Sequence, residues 1–251
     1  MNNLLSLFKF PHQLQLDIPI KKISLKENDN CTASERKLIE GSEIQSIRIK
    51  ALLKKETANI TSFQSAEESF VEVYVIEVII KSEVYTKTHK AISRLLHKLI
   101  PHHCIIITTT EEKEQSNVSL ATKNISKNSS ALRVIQHEYH SPVLDFTNDS
   151  FIEALAYTKA NKQDLRAFYL YYLQVFQNYN LMDITKGFTL RSYEITKQML
   201  QVQEEIQAIE YEIKSAVKTL STTTQMNDKV QLNMTIHSLK KTIEELKNKL
   251  N

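Results

Sequence analysis

The chain has 251 residues, a formal net charge of +3 and a hydrophobic content of 41%. A chain of this length can bury a sizeable core in one or two domains, and its mildly basic charge permits nucleic-acid contact without requiring it. Glycine occurs only at Gly41 and Gly187. Phosphate-binding loops and dinucleotide fingerprints need several glycines at fixed spacing, so the commonest ATP and NAD sites are excluded, as is a nucleophile-elbow hydrolase.

Cysteine usage and apolar runs give no sign of metal binding, secretion or membrane insertion. Cys31 and Cys104 lie far apart and fit no metal-binding or redox spacing. The apolar stretch near the N-terminus is too short for a signal peptide, and no run approaches the length of a membrane span. We therefore expect a soluble, cytoplasmic protein without a cofactor, a bound metal or a membrane contact.

The first fifty residues contain weak secondary-structure signals. Residues 1–30 are predicted to form an extended lead-in, which three side chains attach to a core: Ile18, Ile20 and Ile23. Thr32 and Ser34 predict a capped short helix that ends near Gly41. Residues 44–52 remain ambiguous between helix and strand.

Residues 71–81 are the best predicted strand because they are rich in β-branched side chains. Alternation places one apolar set on each face, namely Val71, Val73, Val75 and Ile79 against Tyr74, Ile76, Val78 and Ile80. A strand that is apolar on both faces is expected at the centre of a sheet.

An amphipathic helix and three further strands follow. The helix spans residues 85–100, ends before Pro101 and turns Ile92, Leu95, Leu96 and Leu99 inward. The strands are predicted at residues 104–108, 118–122 and 132–139. This order of elements predicts a small α/β sandwich with a mixed sheet.

Aromatic residues dominate the stretch that begins near residue 150. Six of its side chains recur at helical spacing: Leu165, Phe168, Tyr169, Tyr172, Phe176 and Tyr179. Core packing is the expected role of such a stripe, since large aromatic side chains tend to be buried. Gly187 is a natural boundary before the next segment.

Two matched heptad runs end the chain. The first holds Ile195, Met199, Val202, Ile206, Ile209, Ile213, Ala216 and Leu220, and the second holds Leu232, Ile236, Leu239, Ile243, Leu246 and Leu250. An average spacing of 3.5 residues confines apolar side chains to one coiled-coil seam. The polar linker at residues 221–228 is short, so the two helices are expected to form an antiparallel hairpin.

The predicted fold class is therefore α+β: an α/β sandwich with a small mixed sheet, followed by helices and a C-terminal antiparallel coiled-coil hairpin. We expect an α/β domain at residues 1–145, an aromatic-rich helical layer at 146–186 and the hairpin at 187–251. Two interpretations of the hairpin stay open, a brace within one chain and a surface for a homodimer or a larger partner. For the second, the candidate interface residues are Leu232, Ile236, Leu239, Ile243 and Leu246.

One face of the predicted helix at residues 85–100 is basic. Lys87, Lys90, Arg94 and Lys98 recur at intervals of three and four residues, with His97 beside them. Such a stripe can contact the phosphates of a nucleic acid. A solvated helix face requires the same pattern, so both interpretations remain.

Catalytic and metal-binding signals are weak. Glu77 and Lys81 lie on one face of the central strand, and restriction-type nucleases use an acidic residue and a Glu-x-Lys strand to hold a metal. Here the spacing is longer and the upstream acidic partner is absent, so only a divergent site is possible. A second group is expected to be structural or exposed, because few of its members can converge: His102, His103, Cys104, His137 and His140.

Several segments together resemble a bacterial family known as domain of unknown function 4391. The resembling segments are Phe8–Pro11, Ile18–Lys22, Thr57–Ile60, Val71–Glu77, Leu99–His102, Gln225–Asn233 and the heptads from Leu239 to Leu246. The family tends to carry a Trp near the position of Ile49, whereas this chain has none.

The resemblance implies no activity and no catalytic residues. It does imply a setting, because such proteins are often encoded beside helicases and DNA methyltransferases in phage-defence clusters. We therefore expect a non-enzymatic adaptor that uses its hairpin to bind a helicase or methyltransferase. A metal-dependent nuclease at Glu77 and Lys81 and a homodimeric DNA-binding protein are the alternatives.

Overall fold

The computed structural model describes residues 4–127, 129–185 and 187–249, with the backbone alone at residues 130, 131 and 249. The chain divides into two compact units, Met1–Phe176 and Gln177–Asn251. The three-part division expected from the sequence, with boundaries near residues 145 and 186, stays a prediction.

The first unit contains both helices and strands, whereas the second is helical. The helices are α1 Leu4–Leu7, α2 Lys22–Lys26, α3 Ala33–Glu40, α4 Lys55–Ala58, α5 Tyr85–Leu99, α6 Asp149–Leu155, α7 Leu165–Asn180, α8 Tyr193–Thr222 and α9 Met226–Lys249. The strands are β1 Gln15–Pro19, β2 Ile44–Lys54, β3 Phe63–Gln64, β4 Ser69–Phe70, β5 Glu72–Ile80, β6 His103–Thr110, β7 Ser116–Ser126 and β8 Ser129–His140.

A six-stranded mixed sheet organises the first unit. Its strand order is β1-β2-β5-β6-β7-β8, and every neighbouring pair is antiparallel except β5 and β6. These two strands are parallel because α5 carries the chain back across the sheet between them. The predicted mixed sheet is confirmed, and β5 lies inside it as expected.

The amphipathic helix α5 covers one face of the sheet. Its inward side chains include Ile92, Leu95 and Leu96, and they share an apolar core with Ile76 and Val78 of β5. All five are essentially inaccessible to solvent. The sequence predicted both the helix and its inward face, because apolar side chains at helical spacing must meet an apolar layer.

The aromatic stripe of α7 is buried, as the sequence predicts. Tyr169 joins two strands: its hydroxyl accepts a hydrogen bond from the Ala121 amide at 2.8 Å and lies 3.0 and 3.1 Å from the Ala121 and Cys104 carbonyl oxygens. The register that pairs β6 with β7 begins only at Ile106 and Ser119. The tyrosine therefore bridges backbone groups where the two strands have separated.

Replacing Tyr169 by Phe is expected to destabilise the first unit by about 2–4 kcal/mol, because buried backbone groups of β6 and β7 lose their partner. Tyr171→Phe is the matched control, since its hydroxyl donates a single hydrogen bond to the Ala154 carbonyl at the half-buried edge of α7. That variant should cost about 1 kcal/mol. Urea unfolding of both variants measures the difference, and equal losses would contradict the bridging role.

The N-terminal thirty residues are more structured than the predicted extended lead-in. They hold α1, β1 and α2, and β1 forms an edge strand of the main sheet. Ile18 and Ile23 are about half exposed, whereas Phe8 and Leu14 are buried. The prediction was wrong because β1 is an edge strand. Such a strand needs only one covered face, so its sequence lacks the strongly apolar pattern from which a strand is predicted.

Helices α8 and α9 pack against each other in the second unit as an antiparallel pair. Met199 and Ile206, from the first half of α8, share a core with Ile243 and Leu246, from the second half of α9. Only residues 223–225 separate the two helices, which leaves them no other arrangement. The predicted hairpin is therefore confirmed, and we call α8 and α9 together the arm; Leu250 of the second heptad run lies outside the described residues.

Polar contacts fix the base of the arm. The Asn178 side chain donates a hydrogen bond to Thr196 Oγ1 at 3.0 Å, and the Asn180 side chain donates one to Gln203 Oε1 at 2.8 Å. Ser192 caps α8 by accepting a hydrogen bond from the Ile195 amide. In the part of the chain that the structure describes, no helix combines the length and apolar character needed to cross a membrane.

Candidate functional site

Four charged side chains gather on one face of the strands β1, β2 and β5. Asp17 pairs with Arg48 through two hydrogen bonds of 2.6 and 2.9 Å, and Lys50 Nζ lies 2.7 Å from the same carboxylate. Lys50 Nζ also lies 3.4 Å from Glu77 Oε2. Arg48 and Lys50 are two residues apart on β2 and share a face because strand side chains alternate.

The electrostatics of this cluster favour its charged form. Hydrogen bonds from Arg48 and Lys50 lower the pKa of Asp17 to about 2, so its carboxylate stays ionised at neutral pH. Glu77 is only 4% exposed, and its ion pair with Lys50 offsets the cost of burying a carboxylate. A cavity of about 410 Å³ lies beside the cluster and is lined by Lys50, Lys9 and Gln15, among others.

The structure places the two predicted catalytic candidates differently from the sequence. Glu77 is on β5, but β5 ends at Ile80, so Lys81 lies beyond the strand with its ammonium 3.5 Å from Ser42 Oγ. The lysine beside Glu77 is Lys50. Sequence reasoning missed Lys50 and Asp17 because β1 and β2 were not recognised as the neighbours of this strand.

The basic stripe of α5 is partly neutralised within the chain. Arg94 Nε donates to Glu138 Oε2 at 2.8 Å, and Lys98 Nζ lies 2.8 Å from Glu35 Oε2. Lys87 and Lys90 are exposed on the same helix face. A nucleic-acid contact would therefore depend mainly on these two lysines, and DNA binding by this stripe stays a prediction.

His97 does not lie beside the basic stripe as the sequence predicted, since its side chain is buried with Nε2 3.0 Å from Ser119 Oγ. Residue 97 lies next to Leu96 on the inward side of the helix. The spacing of the lysines alone does not show which side of the helix residue 97 occupies. Among the described residues, no three His, Cys, Asp or Glu side chains are grouped to hold a metal ion.

The five predicted interface residues lie along the seam between α8 and α9. Ile236 is buried there, and the four others are half-buried: Leu232, Leu239, Ile243 and Leu246. The structure thus uses these side chains to hold the two helices together. Their role in binding a partner stays a prediction, because they lie between the two helices while other side chains form the outer surface of the arm.

That second set consists of apolar side chains on the outer surface of the arm, near its turn. Two come from α8 and three from the start of α9: Tyr211, Val217, Met226, Val230 and Met234, each 48% exposed or more. Sequence reasoning missed them because only the heptad seam was followed. The signal was present, since Met226, Val230 and Met234 recur at intervals of four.

A comparison with protein-family models matches most of the chain to one family. The model described as Domain of unknown function (DUF4391) matches residues 8–243, which include the six-stranded sheet and most of the arm. The chain belongs to this family. No curated protein and no solved structure matches it. In this DUF4391 protein, the candidate sites are therefore defined by geometry alone.

Proposed function

We propose that this DUF4391 protein is a non-enzymatic adaptor subunit of a bacterial DNA-processing complex, and that its arm is the assembly interface. The observation that carries the proposal is the exposed apolar set near the turn of the arm. Groups of exposed apolar side chains mark protein-interaction surfaces, because removing them from water favours association. A coiled-coil hairpin supplies a rigid surface for such contact.

The arm is built for contact with protein. It carries acidic and basic residues together, so it lacks the uniform basic surface that a phosphate backbone selects. Its exposed apolar side chains would gain nothing from a phosphate. The lysines at the end of the first unit's basic stripe, Lys87 and Lys90, are the groups we assign to any nucleic-acid contact.

The class of partner follows from the gene setting that the family resemblance implies. We infer a larger cytoplasmic protein that acts on DNA, such as a helicase or a DNA methyltransferase. Affinity capture of the full chain from its native host, followed by mass spectrometry, tests this directly. The expected result is one dominant DNA-processing protein, and capture of proteins unrelated to nucleic acids would contradict the proposal.

A metal-dependent nuclease is the second candidate, and the grouping of Asp17 and Glu77 around Lys50 favours it. Restriction-type nucleases also combine carboxylates with a lysine to bind a metal and polarise water. The fit is incomplete here, because the Lys50 ammonium already lies between the two carboxylates, 2.7 and 3.4 Å away. A metal ion would have to displace it, and we derive no catalytic step from this arrangement.

A cleavage assay separates the two candidates. The adaptor proposal predicts that the purified protein leaves linear and supercoiled DNA intact with magnesium or manganese, and that Glu77→Ala behaves identically. Cleavage by the wild type that is lost in Glu77→Ala would establish the nuclease instead. Circular dichroism of the variant controls for misfolding, since Glu77 is a buried member of an ion pair.

A further inference from the structure

The outer half of the arm does not bury its own seam. Ile206 is buried and belongs to the apolar cluster at the base of the arm. Nearer the turn, the seam residues Ile209, Ile213, Leu220 and Leu232 are only half-buried. In the described residues of this outer half, from 207 to 241, Ile236 alone is buried. Two helices thus leave the apolar layer incomplete, and a further helical layer would complete it.

One side of the arm is suited to receive that layer. Numbering the heptads with Ile206 and Ile236 at position a puts Val217 and Met226 at position e and Val230 at position b. Because the helices are antiparallel, their e positions lie on the same side of the seam, and b positions border them. We call the e and b positions of both helices the e side. Val217, Met226 and Val230 are 48%, 74% and 49% exposed there.

The opposite side of the arm differs in the composition of its side chains. Its g and c positions carry short or polar side chains near the turn: Ser215, Thr219, Gln231, Thr235 and Ser238. We call these positions the g side. Of the exposed apolar side chains that the structure describes near the turn, Val217, Met226 and Val230 therefore lie on the e side and none on the g side, while Tyr211 and Met234 occupy f positions on the back of the arm. Such an imbalance between the two sides is expected of a contact surface.

Charge at the e positions is divided between the two helices. Glu210 occupies an e position of α8, while Lys240 occupies an e position of α9. The bordering b positions carry the opposite charges, Lys214 on α8 and Glu244 on α9. Ile243 packs against the cluster that contains Ile206, and counted from these two residues Glu210 and Lys240 lie at nearly the same height along the arm. Val217 and Val230 also lie at nearly equal heights, closer to the turn. At the e positions, an acidic and a basic side chain thus lie beside a shared apolar end.

We propose that the e side of the arm binds the e side of a second copy of this chain, so that two arms form a parallel four-helix bundle. The inference rests on the proposed role of the arm as an assembly interface and names the first protein bound there. A two-fold axis along the arms places α8 of each copy over α9 of the other. Val217 then meets Val230 of the second copy, and Glu210 approaches Lys240 of the second copy.

The parallel direction follows from the same residues. Antiparallel arms that overlap along their outer halves would lay the apolar end of each copy on the charged middle of the other, so that Val217 and Val230 would face Glu210 and Lys240. Such a contact buries charged groups against apolar ones, which disfavours association. Parallel arms match apolar with apolar and acid with base, and a surface of this kind is complementary to itself.

The oligomeric state of the purified full chain tests the proposal. Analytical ultracentrifugation across a concentration series should give twice the monomer mass of 29.1 kDa. Val217→Lys combined with Val230→Lys should shift the protein to a monomer, and Ser215→Lys combined with Gln231→Lys should leave the dimer intact. Unchanged circular dichroism shows that each variant folds. A monomeric wild type, or a dimer that resists the e-side substitutions, overturns the proposal.

Disulfide trapping tests the parallel direction. A mixture of Val217→Cys and Val230→Cys proteins, distinguished by tags of different size, should form the mixed disulfide in excess over either symmetric one. An excess of symmetric disulfides would overturn the parallel arrangement. Cys31 and Cys104 are buried, so they do not compete in the folded protein.

The two proposals fail separately. If the purified chain is a monomer but still captures a DNA-processing protein, the second copy is excluded and the adaptor function stands. If the chain is a dimer of the predicted geometry but captures no such protein from its host, the adaptor function fails and the paired arms stand.

Discussion

Lowering the pH from 7 to 5 is expected to reduce the free energy of unfolding of the first unit by at least about 2 kcal/mol. Buried histidines are responsible. Burial lowers the pKa of His103 to about 3, that of His89 to about 4 and that of His97 well below its usual range. In the unfolded chain these rings take up a proton near pH 6.5, so His103 alone is expected to remove about 2 kcal/mol over this interval, and the other two act in the same direction.

The sign of this effect follows from which state binds the protons. Between pH 6.5 and the lowered pKa values, the unfolded chain binds protons that the folded chain does not. Stability is therefore fully present at neutral pH and falls as the pH falls. Urea unfolding of the full chain at several pH values measures the slope, which should steepen below pH 7.

His103→Phe provides the decisive variant for this prediction. The His103 ring stacks on Phe70 at a centroid distance of 3.6 Å and packs edge-on against Tyr169. Neither of its ring nitrogens has a hydrogen-bond partner among the described residues. A phenyl ring keeps the stacking and cannot be protonated, so the loss of stability between pH 7 and pH 5 should become smaller by about 2 kcal/mol. An unchanged slope would contradict the assignment to His103.

Replacing Ile236, Leu239 and Ile243 by Asp is expected to unfold the arm and to abolish co-purification with a partner. Ile236 is buried in the seam, and Ile243 packs against the cluster that contains Met199 and Ile206. A carboxylate at such a position must either be desolvated without a partner or expose the seam, and each choice costs several kcal/mol. Circular dichroism should lose helical signal from α8 and α9, which span 30 and 24 residues.

The matched control for the seam variant changes three exposed residues of α9 to Asp: Gln231, Ser238 and Lys241. These substitutions add a similar negative charge to the same helix without entering the seam. Helical signal and co-purification should both survive. If the seam variant keeps its helical signal, the heptad packing does not hold the arm together. If it loses the signal but still binds the partner, the arm is not the interface.

Periodicity predicted the elements whose burial is regular. The inward face of α5, the central position of β5 and the hairpin all follow from apolar residues that repeat at the spacing of their element. Periodicity did not predict the edge strand β1, because little of its surface is covered and Ile18 is about half exposed. Asp17 lies on β1, so without that strand it could not be assigned to a site.

Long-range pairing explains the rest of what the sequence did not predict. The sequence indicates that Glu77 is an acidic residue on a strand, but its partner Lys50 lies on β2, and the register between the two strands is fixed only when the sheet forms. Tyr169 was expected to be buried, yet its bridging contact with Cys104 and Ala121 depends on where β6 and β7 separate. Local patterns do not encode such geometry.

The central claim is that the exposed apolar side chains near the turn of the arm assemble this DUF4391 protein into its complex, with a second copy covering those on the e side. The most direct measurement is the yield of partner captured from the native host by Val217→Lys/Val230→Lys bait relative to Ser215→Lys/Gln231→Lys bait. Both baits carry two added lysines at the same height of the arm, on opposite sides. We predict loss of the partner from the first bait and wild-type yield with the second. Equal capture by both baits would contradict the claim.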